Sequence, residues 1–202
     1  MSGKVCIFAS HNSNQEKRIM KNVLFIVGSM RERSFNRQLA KVAEGMIADR
    51  CHVRYLDYSN LPYMNQDFET PVPTSVVQVR KEVVEADALW IFTPEYNFSY
   101  PGVLKNLLDW LSRPMDMSDF QNPSAALGKK VAISGCGGKN MTQSCRAKLT
   151  ELLDFMKMDL MHEPQTGIAL GIEAWTHGTF ALTDEQCAEL QKQANAFMTY
   201  IQ

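Results

Sequence analysis

Four short apolar runs separated by amphipathic stretches set the pattern of this chain. Asn22 to Gly28 (NVLFIVG), Ala88 to Thr93 (ALWIFT) and Lys130 to Ser134 (KVAIS) are nearly continuous, as expected of strands buried on both faces of a parallel sheet, and His52 to Leu56 reads as a shorter strand. After the first run, Leu39, Val42, Ala43, Met46 and Ile47 recur at helical spacing from about Phe35, one stripe that would face a sheet. A second helix is predicted over Thr74 to Glu85, following a loop punctuated by prolines from Pro62 to Pro73. Leu104, Leu107, Leu108 and Leu111 make a third stripe, with Pro101 at the first helical position and Pro114 as the stop. A further helix over Thr142 to Met156 precedes a weak fifth strand near Asp159 to Met161. The last helix opens at Thr183 with Gln186 three residues on, a capping-box pattern. Strands alternating with helices predict an α/β fold, a doubly wound five-stranded parallel sheet in three α/β/α layers. Ligands of such sheets lie at the carboxyl ends of the strands, where three loops fall: 29 to 36, 94 to 100 and 134 to 140.

Composition narrows the function by exclusion. The 202 residues suit one domain at about 150 residues each. Its 21 basic and 22 acidic residues, net charge −1, are mixed along the chain, so no broad field favours nucleic acid or an anionic membrane. Five cysteines form no C-x-x-C pair and share no metal-ligand spacing with the four histidines, which reads as a reducing cytoplasm and no metal site. No apolar run approaches the roughly 18 residues of a membrane span, and Val5 to Ala9 is too short for a secretory core. Residues 1–20 read as a disordered extension and residues 21–202 as the single domain.

The first loop, Gly28-Ser29-Met30-Arg31-Glu32-Arg33-Ser34-Phe35-Asn36, follows a strand and opens a helix. Unpartnered N–H groups and the macrodipole at a helix start favour an anion, so this is a cradle sized for a phosphate. Ser29, Ser34 and Asn36 are its hydrogen-bonding candidates and Arg31 its counter-charge. The loop has neither G-x-x-x-x-G-K-[ST] nor G-x-G-x-x-G, which disfavours a nucleoside triphosphate or a Rossmann-bound dinucleotide. It also lacks a cysteine to attack phosphorus, so the phosphate is held rather than transferred. In the second loop, Pro94-Glu95-Tyr96-Asn97-Phe98-Ser99-Tyr100 lies before Pro101, a stiffened segment whose backbone amides suit the polar edge of a flat heteroaromatic ring. The third loop, Ser134-Gly135-Cys136-Gly137-Gly138-Lys139-Asn140, carries three glycines that allow close backbone approach. A lone Cys136 between glycines reads as incidental rather than as a redox thiol.

Two segments, GSMRERSFNRQLA (28 to 40) and TPEYNFSYPGVLKNLLDWLSRP (93 to 114), resemble the NADPH-dependent FMN reductase family in residues and spacing. The similarity runs from about residue 21 to the C-terminus and implies a flavodoxin-like fold. It also implies bound FMN, NADPH or NADH as donor, a small-molecule acceptor and a homodimer or homotetramer. Transferred onto this chain, it sets the FMN phosphate on Ser29, Arg31, Ser34, Phe35 and Asn36. The isoalloxazine would lie against Pro94, Glu95, Tyr96 and Asn97, and Ser134, Gly135, Cys136, Gly137 and Gly138 would close the other side. Relatives often carry a small residue or histidine where Phe98 stands, and a Gly-Gly pair in place of Ser144-Cys145.

The resemblance implies a reductase that takes two electrons from a nicotinamide and passes them to a quinone, azo compound, chromate or free flavin. No side-chain acid or base is required of it, and none is assigned. Two alternatives stay open from the residues: a flavodoxin-type electron carrier without its own NAD(P)H oxidation, and a flavin-free interaction module. Carriers lean acidic for docking, whereas this chain is nearly neutral with Arg31 and Arg33 at its phosphate loop. A 2′-phosphate on the donor would need a basic partner, for which Arg113 and Lys139 are the candidates.

Overall fold

Strand β1 (Lys21–Val27) forms the middle of a parallel sheet between β2 (Cys51–Tyr55) and β3 (Ala88–Phe92), and β4 (Lys130–Gly137) lies beyond β3. This is a computed structural model that describes residues 20–119 and 121–202. The N-terminal extension, with Val5 to Ala9 and Cys6, lies outside the described residues. The fifth position in the sheet is shared by two short strands: β5 (Asp159–Leu160) pairs with Lys130 and Val131, and β6 (Thr166–Ala169) pairs with Ser134 to Gly137. The helices are α1 (Phe35–Ile47), α2 (Thr74–Glu85), α3 (Gly102–Ser112), α4 (Gln143–Phe155), α5 (Ile172–His177) and α6 (Asp184–Tyr200).

Strand side chains alternate between faces, and both faces are buried, which is why the runs are apolar throughout. Val23, Phe25, Val27, Trp90, Phe92 and Ala132 meet α1 and α6 on one side. Leu24, Ile26, Leu89, Ile91, Val131 and Ile133 meet α2, α3 and α4 on the other. The result is the expected three-layer, flavodoxin-like arrangement. Helix α2 has the expected bounds, and the capping box at Thr183 is present with both of its bonds. Pro101 differs by one position, forming the extended cap before Gly102 rather than the first helical residue.

The larger departure concerns β4. Residues 134 to 137 are not loop but strand, because β6 continues the sheet past the end of β5. Ser134, Gly135, Cys136 and Gly137 are accordingly buried. A Cβ on Gly135 would stand 2.4 Å from the Thr93 carbonyl oxygen and 2.4 Å from Thr142 Oγ1, so this glycine admits neighbouring protein rather than a ligand. Strand β6 and helix α5 had no reading in the sequence.

Between β5 and β6 the ladder has a gap, and the fully buried Gln193 of α6 fills it. Its Nε2 donates to the Ile133 carbonyl at 2.8 Å, while its Oε1 accepts from the Thr166 N–H at 2.8 Å and from Ser134 Oγ at 2.7 Å. Ser134 Oγ in turn accepts from Trp90 Nε1 at 2.9 Å. One side-chain amide thus replaces a missing strand partner and satisfies three groups on β4 and β6, with Trp90 of β3 joined through Ser134. Gln193→Leu keeps the volume but orphans buried backbone groups at about 1–3 kcal/mol each. We expect it to lower unfolding free energy by about 3 kcal/mol in urea titration; stability within 1 kcal/mol of the parent would show the network to be dispensable.

Candidate functional site

The carboxyl ends of β1, β3 and β4 bring three segments to one rim: 28–36, 94–100 and 138–142. Helix α1 starts at Phe35, and Ser34 is its cap, its Oγ accepting from the Arg37 N–H at 3.3 Å. Ser29 Oγ accepts from the Arg31 N–H at 3.4 Å. Each hydroxyl keeps its own proton free to donate. The N–H groups of Phe35 and Asn36 have no partner among the described residues, as the first turn of a helix requires. The Arg31 guanidinium lies over the Phe35 ring, 5.2 Å from its centroid, which fixes the charge at the helix start. These groups make the segment an anion cradle.

Asn36 departs from its expected role. Its side chain is buried and paired with the peptide of Cys136: Nδ2 donates to the carbonyl at 3.0 Å and Oδ1 accepts from the N–H at 2.9 Å. Its amide therefore ties α1 to β4 and is not free for a phosphate, which leaves Asn36 only its backbone N–H to offer. Ser134, Gly135 and Cys136, expected in a loop against the flavin, lie within β4 and form the buried floor of the rim. Gly137 is also buried in the strand, while Gly138 is exposed and has open space where a side chain would be.

The second segment is a hairpin tip. Tyr96 and Ser99 exchange both backbone bonds, at 2.9 and 3.0 Å, and the two residues between them, Asn97 and Phe98, have φ of 51° and 60°. Left-handed backbone at both central positions is the type I′ turn, and a phenylalanine there costs roughly 1–2 kcal/mol. Tyr96 and Phe98 are exposed, at 52% and 67%. Strain held in a loop beside two other convergent loops is a mark of a functional site. Glu95 faces away from the tip, its carboxylate accepting from Asn140 Nδ2 and from the Cys145 N–H, each at 2.9 Å.

Of the two basic candidates for a 2′-phosphate, Arg113 is removed. It sits past the far end of α3, roughly 16 Å along the helix from the rim, and is paired through two nitrogens with Glu69. Lys139 is exposed on the third segment with no ion-pair partner among the described residues.

Sequence reasoning missed a fourth contributor. Trp175 of α5 packs edge-on against Phe35, with centroids 5.2 Å apart, and Phe180 does the same at 6.0 Å. Gln38 of α1 holds the intervening turn, donating to the Gly178 carbonyl at 2.9 Å and accepting from the Phe180 N–H at 3.4 Å. The available signal was Gly178, a left-handed helix stop at φ 74° one residue past His177.

The model of NADPH-dependent FMN reductases matches residues 21–172. The chain belongs to the NADPH-dependent FMN reductase family. Among its relatives, a 2-hydroxy-1,4-benzoquinone reductase of a Burkholderia species is 34% identical over 71% of this chain and 75% of its own. An NAD(P)H-dependent FMN reductase of Pseudomonas aeruginosa is 31% identical over 89% of this chain and 94% of its own. The structure of FerB, a flavoenzyme NAD(P)H:(acceptor) oxidoreductase from Paracoccus denitrificans, superposes with a TM-score of 0.79 at 30% identity, covering 90% of this chain and 97% of that one. Flavodoxin 1 from Bacillus cereus, at 13% identity and a TM-score of 0.58, shares the fold. The family match ends at Ile172, so the Trp175 contact with Phe35 lies beyond it.

The three buried thiols are set for packing. Burial raises Cys145 to about 11 and Cys51 to about 11, and pushes Cys136 up further still. Thiols are protonated below such values, and only the thiolate is nucleophilic. Among the described cysteines, a disulfide reagent at pH 8 should therefore modify the exposed Cys187 rapidly and the other three only on unfolding. Fast modification of Cys136 in the folded protein, read by peptide mass, would contradict this.

Proposed function

We propose that this member of the family is an FMN-dependent NAD(P)H oxidoreductase that passes two electrons to a small acceptor of the quinone class, with the rim described above as its flavin site. The observation that carries the reading is the convergence of an unpartnered helix start, with Arg31 beside it, and a rigid hairpin at the carboxyl ends of adjacent strands. The donor set fits FMN. The backbone of Phe35 and Asn36, the hydroxyls of Ser29 and Ser34 and the Arg31 charge would hold the phosphate, and Pro94 to Asn97 with Gly138 would border the ring. When bound, FMN supplies the two-electron chemistry that no side chain here can supply.

The chain's own work is positioning. The type I′ turn presents backbone amides without having to order them on binding, which lowers the cost of holding a ring in one place. Exposed Tyr96 and Phe98 give the rim an apolar border suited to a planar acceptor. The quinone class is further supported by the name of the Burkholderia relative, and the nicotinamide donor by those of the Pseudomonas and Paracoccus proteins. A reducing compartment and a homo-oligomer belong to the same reading.

The reading is tested by the visible spectrum of FMN-reconstituted protein under anaerobic conditions. Stoichiometric NADPH or NADH should bleach the bound-flavin bands, and benzoquinone should restore them. Bands that persist with both donors would turn the assignment to an electron carrier. Lys139 is the basic group available for a 2′-phosphate, so Lys139→Ala should raise KM for NADPH about fivefold while leaving that for NADH nearly unchanged. Equal effects on both donors would place the 2′-phosphate elsewhere.

A further inference from the structure

Three rim segments must keep their spacing if they are to hold one ligand. Glu95 ties the second to the third and to α4, and the Cys145 thiol of α4 adds one weak bond, donating to the Pro94 carbonyl at 3.4 Å. Glu95 stands between Pro94 and the Tyr96–Ser99 hairpin, half-buried, and its carboxylate spans to two separate elements. One oxygen accepts from Asn140 Nδ2 at 2.9 Å, and the other accepts from the Cys145 N–H at 2.9 Å. Cys145 is the third residue of α4, whose own cap, Thr142, makes no side-chain capping bond and has its buried Oγ1 without a partner. Glu95 thus serves as the cap that α4 lacks, supplied from another loop.

The geometry around this carboxylate is strained on both sides. Asn97 and Phe98 are left-handed in the hairpin, and Met141 and Thr142 are left-handed, at φ 49° and 57°, just before α4. The carboxylate therefore joins two turns that each hold a pair of residues in sparsely populated backbone. Asn140 is further held by its neighbour, its Nδ2 donating to Ser144 Oγ at 3.1 Å.

We propose that Glu95 is a positioning residue: its carboxylate locks the hairpin to the 138–142 segment and to the start of α4, and thereby sets the width of the rim. The carboxylate acts through the hairpin backbone and is itself turned to Asn140 and Cys145. The proposal rests on the flavin reading for its effect on catalysis, but the tether itself is independent of any ligand.

Glu95→Ala and Glu95→Gln separate the possibilities. The glutamine keeps an oxygen for the Cys145 N–H, and the Asn140 amide can turn to offer Oδ1 to the new NH2, so both arms survive. The alanine loses both. In the FMN-loaded protein, Glu95→Ala should bind FMN roughly tenfold more weakly, as expected for a lost cap. It should also shift the flavin visible bands and midpoint potential and lower kcat more than it raises donor KM. Glu95→Gln should restore all of these. Hydrogen exchange of the FMN-free protein reads the tether directly: Glu95→Ala should lose protection at 96–99 and 143–146, and wild-type protection there would overturn the proposal. So would a glutamine variant as impaired as the alanine, which would assign the effect to the charge itself. Should Glu95→Ala fail to fold, Asn140→Ala removes one arm from an exposed position. It should loosen 96–99 alone, and unchanged exchange there would equally overturn the proposal. Failure of wild-type protein to bind FMN would refute the flavin reading while leaving the exchange result to decide the tether.

Discussion

Strand β4 is longer than either of its neighbours, and the backbone groups it leaves over have to be satisfied inside the protein. Along a parallel strand, successive residues direct their N–H and C=O to alternate sides. Ser134 accepts from the Thr93 N–H on the β3 side, and Gly137 accepts from the Leu170 N–H on the β6 side. Cys136 therefore faces β3 after that strand has turned away at Pro94, and Ile133 faces the gap between β5 and β6. An orphaned peptide group at either place would be costly. Two side-chain amides remove the cost: Asn36 takes both groups of Cys136, and Gln193 takes the carbonyl of Ile133.

Because those amides come from α1 and α6, satisfying β4 also fixes where the helices sit. Asn36 is the second residue of α1, so the bond that completes the sheet also sets the helix start whose free N–H groups form the anion cradle. Gln193 anchors α6 against β3, β4 and β6 together through Ser134 and Trp90. The site is thus built on a helix start that is bonded directly to the central sheet, as a preorganised binding surface should be.

The rim shows the same economy. Glu95 joins the hairpin to α4, Gln38 joins α1 to the turn after α5, and Trp175 backs Phe35, on which Arg31 lies. Asn36, Glu95 and Asn140 spend their polar groups holding one segment to another. What is left for a ligand is backbone, two hydroxyl protons, Arg31, Lys139 and the aromatic border, which fits a family whose cofactor brings the chemistry.

The order of strands β1 to β5 and of the helices other than α5, the sheet's two buried faces and the first two rim segments were legible in the sequence because they depend on local signals. These are apolar runs, the stripe beginning at Leu39, the Thr183 capping box, and prolines at 94 and 101. The resemblance in 28–40 and 93–114 was legible too, since both motifs are contiguous. What each polar side chain does was not. The side chains of Asn36 and Glu95 look like ligand contacts in the sequence, but their partners lie 100 and 50 residues away and exist only once the sheet has formed. The extent of β4 was hidden for the same reason: Ser134 to Gly137 become strand only because the four residues of β6 return to pair with them, a length too short to carry its own periodicity. Local patterning determined the elements, and the tertiary structure decided which hydrogen-bonding groups were left over and so which side chains had to serve the fold.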